Sequence, residues 1–207
     1  RRFVGFMVLS SGGTLLIAIA MFNTQAWSAG LYYLVHSTLI AAAFYLFCGW
    51  ITAQRGMFKD HLKVAPKIKN EKAAALTYFL IAMMMAGLPP FSGFLGKVFI
   101  LQATAETAYQ GWIIAIILIV SLLSILALTR VGFILFWRAS PPEIDPNEAA
   151  YQTYQGLPAY APNRNDTAIY IILAGLMAYV VFASPIQTYT VLTAQQIQNH
   201  ALYNQAI

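Results

Sequence analysis

The chain has 207 residues, 59% of them apolar and 9% charged, and it carries 12 Lys and Arg against 7 Asp and Glu for a net charge of +5. Near-uncharged runs of about 20 residues or more place it with polytopic helical membrane proteins, and no stretch reads as a soluble domain. One cysteine, Cys48, lies inside an apolar run. That excludes a disulfide framework and a cysteine metal cluster, and the basic residues gather at apparent membrane edges, so the positive charge is not a nucleic-acid signal.

The pattern predicts an all-α protein with five transmembrane helices in one membrane domain, 1–207. Arg1-Arg2 precede the first span, about 3–22. Ser10-Ser11-Gly12-Gly13-Thr14 falls at its mid-depth, where small residues suit close helix packing or a distorted turn beside a hydrated path. A short uncharged connection leads to the second span, about 28–51, which holds His36 in its early turns. The loop 52–72 then carries Arg55, Lys59, Lys63, Lys67, Lys69 and Lys72 against Asp60 and Glu71. Such a loop reads first as a topology signal and a contact for anionic lipid, and second as a dock for a partner domain.

The third span, about 73–103, carries one charge, Lys97, and a straight helix of that length would outreach the roughly 30 Å hydrocarbon core. Its middle reads Gly87-Leu88-Pro89-Pro90-Phe91-Ser92-Gly93. Two prolines remove two backbone donors and disfavour the helical state of the residue before each. The reading is two half-helices, about 73–86 and 93–103, joined by an elbow built on Gly87, Pro89, Pro90 and Gly93. A break at membrane depth is tolerated where protein buries it or where it lines a wet cavity, and discontinuous helices recur in ion-coupled transporters.

The fourth span, about 112–137, encloses Arg130 and ends at Trp137-Arg138. The loop 138–166 is rich in Pro, Tyr, Asn and acid and has no apolar period. The fifth span is about 167–187, and the tail 188–207 is polar, amphipathic at best. With five spans, one side of the membrane receives Arg1, Arg2, the whole 52–72 loop, Arg138 and Arg164, and the other receives no Lys or Arg. The positive-inside rule therefore puts residue 1 and the loops 52–72 and 138–166 in the cytoplasm and the C-terminus outside.

Lys97 is the most informative residue. A lysine near the middle of a span costs roughly 2.5–3.5 kcal/mol on insertion scales, and it changes its protonation readily when neighbours change. Gly93 and Gly96 leave room beside it for water or a partner. The plainer alternatives are a snorkelling lysine or a static ion pair with a carboxylate. His36 is either a packing residue bonded to a carbonyl or a proton carrier. Arg130 suits a structural ion pair or a place in a cytoplasmic half-channel. His61 and His200 lie outside the spans and carry no assigned chemistry. No metal-ligand spacing, Gly-rich phosphate loop or nucleophile–base pattern is present, so neither an enzyme nor a bound cofactor is expected.

The runs LYYLVHSTLIAAAFYLFCGWI and AGLPPFSGFLGKVFILQA resemble the antiporter-like membrane subunits shared by complex I and Mrp-type cation/proton antiporters. The segments YYLVHSTL and LALTRVGFILFW are most similar to the D subunit of the Mrp group. The resemblance implies a subunit of about fourteen spans, with two inverted repeats that each contain a broken helix. This chain would supply the last five spans, which agrees with its opening on Arg1 rather than Met. It places Lys97 on the broken-helix lysine at the outer end of the proton path and His36 on the histidine of the central hydrophilic axis. Some relatives carry a lysine shortly after that histidine, whereas Ser37 to Ala43 contain none. That departure argues against the subunit type with a long lateral helix.

The function expected is that of a proton-translocating membrane subunit in a multi-subunit Na+ or K+/proton antiporter of the bacterial inner membrane. Its partners would be other membrane subunits, the lipid bilayer, H+ and the exchanged cation. The alternatives are the equivalent subunit of a redox-driven pump, complex I-like or a membrane-bound hydrogenase, and a non-transporting membrane scaffold.

Overall fold

The computed structural model describes residues 1–62, 68, 70–105, 107–137 and 164–199. The expected positions of Lys63, Lys67, Lys69, Arg138 and His200, and nearly all of the 138–166 loop, lie outside the described residues. Seven α-helices are present among them: α1 Arg2–Ala20, α2 Thr24–Arg55, α3 Glu71–Ala86, α4 Ser92–Gln102, α5 Gln110–Gly132, α6 Arg164–Val181 and α7 Ala183–Gln198. A 3-10 turn, Gly56–Phe58, follows α2, and a π turn, Phe133–Trp137, extends α5. No strand occurs among the described residues.

α1, α2 and the stretch Gln110–Trp137 are each long and apolar enough to cross a membrane. α6 and α7 meet that criterion as a pair, bent by 81°. Length and composition thus give three spanning helices, or four with the bent pair, where the sequence predicts five. The difference lies in α3 and α4, with 16 and 11 residues. At 1.5 Å per residue they reach about 24 and 16 Å, each short of the roughly 30 Å core.

α2 is the axis of the fold, and α1, α3, α4, α6 and α7 all pack on it. Its 32 residues begin earlier and end later than the hydropathy run. Asn23, in extended geometry, caps its start by accepting from the Ala26 amide at 2.7 Å. That bond satisfies one of the amides a helix start leaves unpaired. The Trp27 indole donates to the Ile19 carbonyl of α1 at 3.1 Å, which ties the two helices across their short turn. Gly30 lets them close together, because a Cβ there would lie 3.2 Å from the Ala18 methyl.

At the other end of α2 the first basic residue of the 52–72 stretch is held inside the fold. Arg55 is 3% exposed and donates to the carbonyls of His61 at 3.0 Å and Lys59 at 3.4 Å. Gln54, also buried, accepts from the Asn70 amide at 2.9 Å, which joins the exit of α2 to the entry of α3.

Apolar burial between helices gains little in lipid, so helix pairs rely on close packing and polar anchors. Tyr78 of α3 supplies both. Its ring meets Phe44, Phe47 and Phe136 with centroids 6.0, 5.8 and 5.6 Å away, and its hydroxyl donates to the Leu128 carbonyl of α5 at 2.6 Å. Gly132 makes room for it, since a Cβ there would come within 2.8 Å of the ring.

The C-terminal region departs from the sequence expectation. The fifth span, expected to run to about 187, turns after Val181, and its last residues continue into α7 together with residues 188–198 of the expected polar tail. Pro185 accounts for the turn: it has no N–H to give the Val181 carbonyl, and its ring clashes there with a continuous helix. α7 then lies against the start of α2, with Thr24 donating to Gln198 at 2.5 Å and the Ser28 and Thr190 hydroxyls 2.9 Å apart.

Candidate functional site

Between α3 and α4 the chain is non-helical at residues 87–91. α3 stops in a Schellman arrangement: Gly87 is left-handed at φ +76°, its amide donates to Met84 O, and the Leu88 amide donates to Met83 O, both at 3.1 Å. The Pro89-Pro90 peptide bond is cis. Phe91 is extended and α4 starts at Ser92.

Two polar side chains, buried His36 and half-buried Lys97, grip the two sides of this break. His36, 2% exposed, reaches the start of α4, where its Nδ1 and the Ser92 hydroxyl share a hydrogen bond of 2.8 Å. Its other nitrogen, Nε2, faces Gly93 together with the Met84 carbonyl, and a Cβ on Gly93 would stand 2.6 Å from each. Lys97, one turn into α4, reaches back to the end of α3. Its ammonium donates to the Ala86 carbonyl and to the Ser121 hydroxyl of α5, both at 2.9 Å.

Ala86 is the last residue of α3, so its carbonyl belongs to the set a helix end leaves without an internal partner. A cation is favoured there by the aligned peptide dipoles. The Lys97 stem lies over Gly87, where a Cβ would come within 3.1 Å of Nζ and 3.2 Å of Cδ and Cε. Gly87 therefore serves twice, as the left-handed end of α3 and as the floor under the lysine.

Depth follows from Ser121. It is about 16 Å from the start of Gln110–Trp137 and about 24 Å from its end. The Lys97 ammonium is thus held toward the middle of the most apolar of the membrane-length helices, by neutral partners. Among the described residues no carboxylate pairs with it.

The tyrosines beside His36 on α2 turn to two sides. The Tyr33 ring is buried and 6.0 Å from the imidazole, centroid to centroid. Ser11 and Thr14 are buried, whereas nothing lies within 4 Å of a Cβ on Gly12 or Gly13 among the described residues. The small-residue cluster of α1 thus buries Ser11 and Thr14, not its glycines, and their hydroxyls donate back within α1 to Met7 O at 3.2 Å and Ser10 O at 3.3 Å. Tyr32 turns to the other side and exchanges hydroxyl-to-carbonyl bonds with Tyr179 of α6, at 3.5 and 3.2 Å.

The structure therefore brings His36, Lys97, Gly87 and Gly93 together at the break. It does not bring Arg130 there. That residue is exposed on α5, nine residues past Ser121 or about 13 Å along the axis, and makes no ion pair among the described residues. Sequence reasoning misses Ser121 and Ser92, because nothing marks a lone serine in an apolar helix as the partner of a distant lysine or histidine. No cluster of His, Cys, Asp and Glu fit for a metal ion occurs among the described residues.

Apolar helices of membrane length packed around a helix break that carries His36 and Lys97 define a multi-pass helical membrane protein. Residues 1–126 match the transmembrane family described as NADH:quinone oxidoreductase/Mrp antiporter, and the chain belongs to that family. It is similar to the D subunit of a probable K(+)/H(+) antiporter of Rhizobium meliloti, at 30% identity over 66% of this chain and 30% of that protein. It is similar to the D subunit of the Na(+)/H(+) antiporter of Bacillus subtilis, at 29% identity over 75% of this chain and 31% of that protein. An N-type subunit of the NADH-quinone oxidoreductase of Solidesulfovibrio magneticus is 29% identical over 57% of this chain and 25% of its own length. The chain spans under a third of the length of each of these relatives.

Proposed function

We propose that this chain is the later part of a D-type subunit of an Mrp-type antiporter, and that it carries protons through the bilayer in exchange for Na+ or K+. The observation that carries the reading is Lys97: a titratable cation at mid-depth, placed by neutral groups at a helix break. In this reading α3 and α4 together form one interrupted span, which restores five crossings. Lys97 and His36 are proton stations on opposite sides of the break, and Gly87, Pro89, Pro90 and Gly93 shape the gap between them. Arg130 belongs to the cytoplasmic end of α5 and not to the station itself. The protein acts as a transporter subunit rather than an enzyme, in a bacterial inner membrane and beside other membrane subunits.

A redox-driven pump is the second reading, favoured by the likeness to the oxidoreductase subunit. The test is proton flux in vesicles holding the assembled complex. A flux driven by an imposed Na+ or K+ gradient, with no electron donor, is expected. Flux that requires a quinone or ferredoxin couple would move the assignment to the redox-driven class.

Orientation is tested separately. Lys59 is exposed just beyond α2. With residue 1 in the cytoplasm, a single-cysteine Lys59→Cys variant reacts with a membrane-impermeant maleimide in inverted vesicles and stays unlabelled in intact cells. Labelling from outside intact cells would reverse the topology.

A further inference from the structure

We infer that Ser121 is the positioning residue for Lys97, holding the lysine through a hydroxyl that can serve both its charged and its neutral form; this rests on the transport reading of Lys97 given above. The ammonium has two partners at 2.9 Å, and they differ in kind. The Ala86 carbonyl can only accept. The Ser121 hydroxyl can accept from an ammonium, or turn and donate to the lone pair of a neutral amine. A neutral Lys97 still has N–H groups for Ala86 and a lone pair for Ser121. Both contacts can therefore persist through loss of the proton, at the cost of one hydroxyl rotation and no helix movement.

The placement of Ser121 supports this. A serine in a helix commonly turns back to the carbonyl four residues earlier, as Ser124 does to Val120 O at 2.8 Å. Ser121 is instead aimed at Lys97, 24 residues away in sequence. It is the contact through which the lysine reaches α5, whereas Ala86 holds it to α3. Lys97 thus sits where α3, α4 and α5 meet, and Ser121 fixes which way its stem points.

The experiment compares Ser121→Ala, Ser121→Thr and Lys97→Ala in the full-length subunit within its complex. It measures cation-dependent proton flux against pH, and the amount of complex assembled. Ser121→Ala is expected to assemble normally, to lose about tenfold in flux, and to shift the pH profile about one unit toward acid. The reason is that the charged lysine loses a charge-assisted partner. Ser121→Thr keeps the hydroxyl and is expected to restore both rate and profile. A wild-type profile in Ser121→Ala beside lost flux in Lys97→Ala overturns the Ser121 assignment and leaves the transport reading intact. Equal losses in Ser121→Ala and Ser121→Thr, with no shift in profile, also overturn it, because packing and not the hydroxyl would then be at work. Normal flux in Lys97→Ala instead refutes the transport reading itself.

Discussion

Lys97→Ala should stop cation-coupled proton flux while the complex still assembles. The sign of the stability change follows from the partners. A lysine paired with a buried carboxylate would leave an orphaned charge on removal, at about 3–5 kcal/mol. Lys97 instead bonds a carbonyl and a hydroxyl, so its loss strands only neutral acceptors. The Ser121 hydroxyl can turn back to its own helix, so one neutral group, the Ala86 carbonyl, is left at about 1–3 kcal/mol, and the roughly 2.5–3.5 kcal/mol cost of holding a lysine at depth disappears at the same time. The two terms nearly cancel. Flux falls for a different reason, since the variant lacks the titratable group that bridges α3 and α5. Lys97→Arg separates proton transfer from charge: arginine keeps the cation but does not release its proton in proteins. It should assemble and remain impaired. The measurements are vesicle flux and assembled complex for both variants. Normal flux in Lys97→Arg would discard the proton station, and normal flux in Lys97→Ala would discard any transport role.

Local backbone chemistry is the most legible part of the fold. α3 ends at Ala86 and α4 starts at Ser92, which are the positions that Gly87 and the two prolines mark. The same rule applies at Pro185, but the apolar run hides it, so the fifth span reads on to about 187 and the rest of α7 reads as a tail. Its hold on α2 comes from hydroxyl and amide pairs more than 160 residues apart in sequence, which no local pattern encodes. Arg55 shows a related failure. Composition places it in a basic loop that marks topology and touches lipid, yet it ends α2, and the turn that follows folds over it and offers two carbonyls. Arg130 shows the reverse, because a cation drawn inside a span by hydropathy alone stands on an exposed face near the end of α5. In the site, His36 and Lys97 stand out because ionisable groups inside apolar spans are costly and therefore rare. Their partners do not, because serine is cheap in a membrane helix and the relevant spacing is set by how α4 crosses α2 and α5.

Gly93→Ala tests that crossing, and its expected effect is as large as that of Lys97→Ala. The added methyl would stand 2.6 Å from His36 Nε2, 3.0 Å from Cε1 and 2.6 Å from the Met84 carbonyl oxygen. Neither neighbour can step aside freely. The Met84 carbonyl is fixed by the Gly87 amide in the terminal turn of α3, and His36 is buried and tied to Ser92. Either α4 moves away from α2 and α3, or the imidazole turns and the Ser92 bond breaks. Overpacking of this sort costs about 1–3 kcal/mol. Gly93→Ala should therefore lower the amount or the thermal stability of the assembled complex, and what assembles should carry little flux. Gly49→Ala is the control within α2, since nothing lies within 4 Å of a Cβ there among the described residues. It should assemble and transport as the parent does. Parental assembly and flux in Gly93→Ala would mean that the start of α4 has room, and the close seating of His36 against the break would have to be given up.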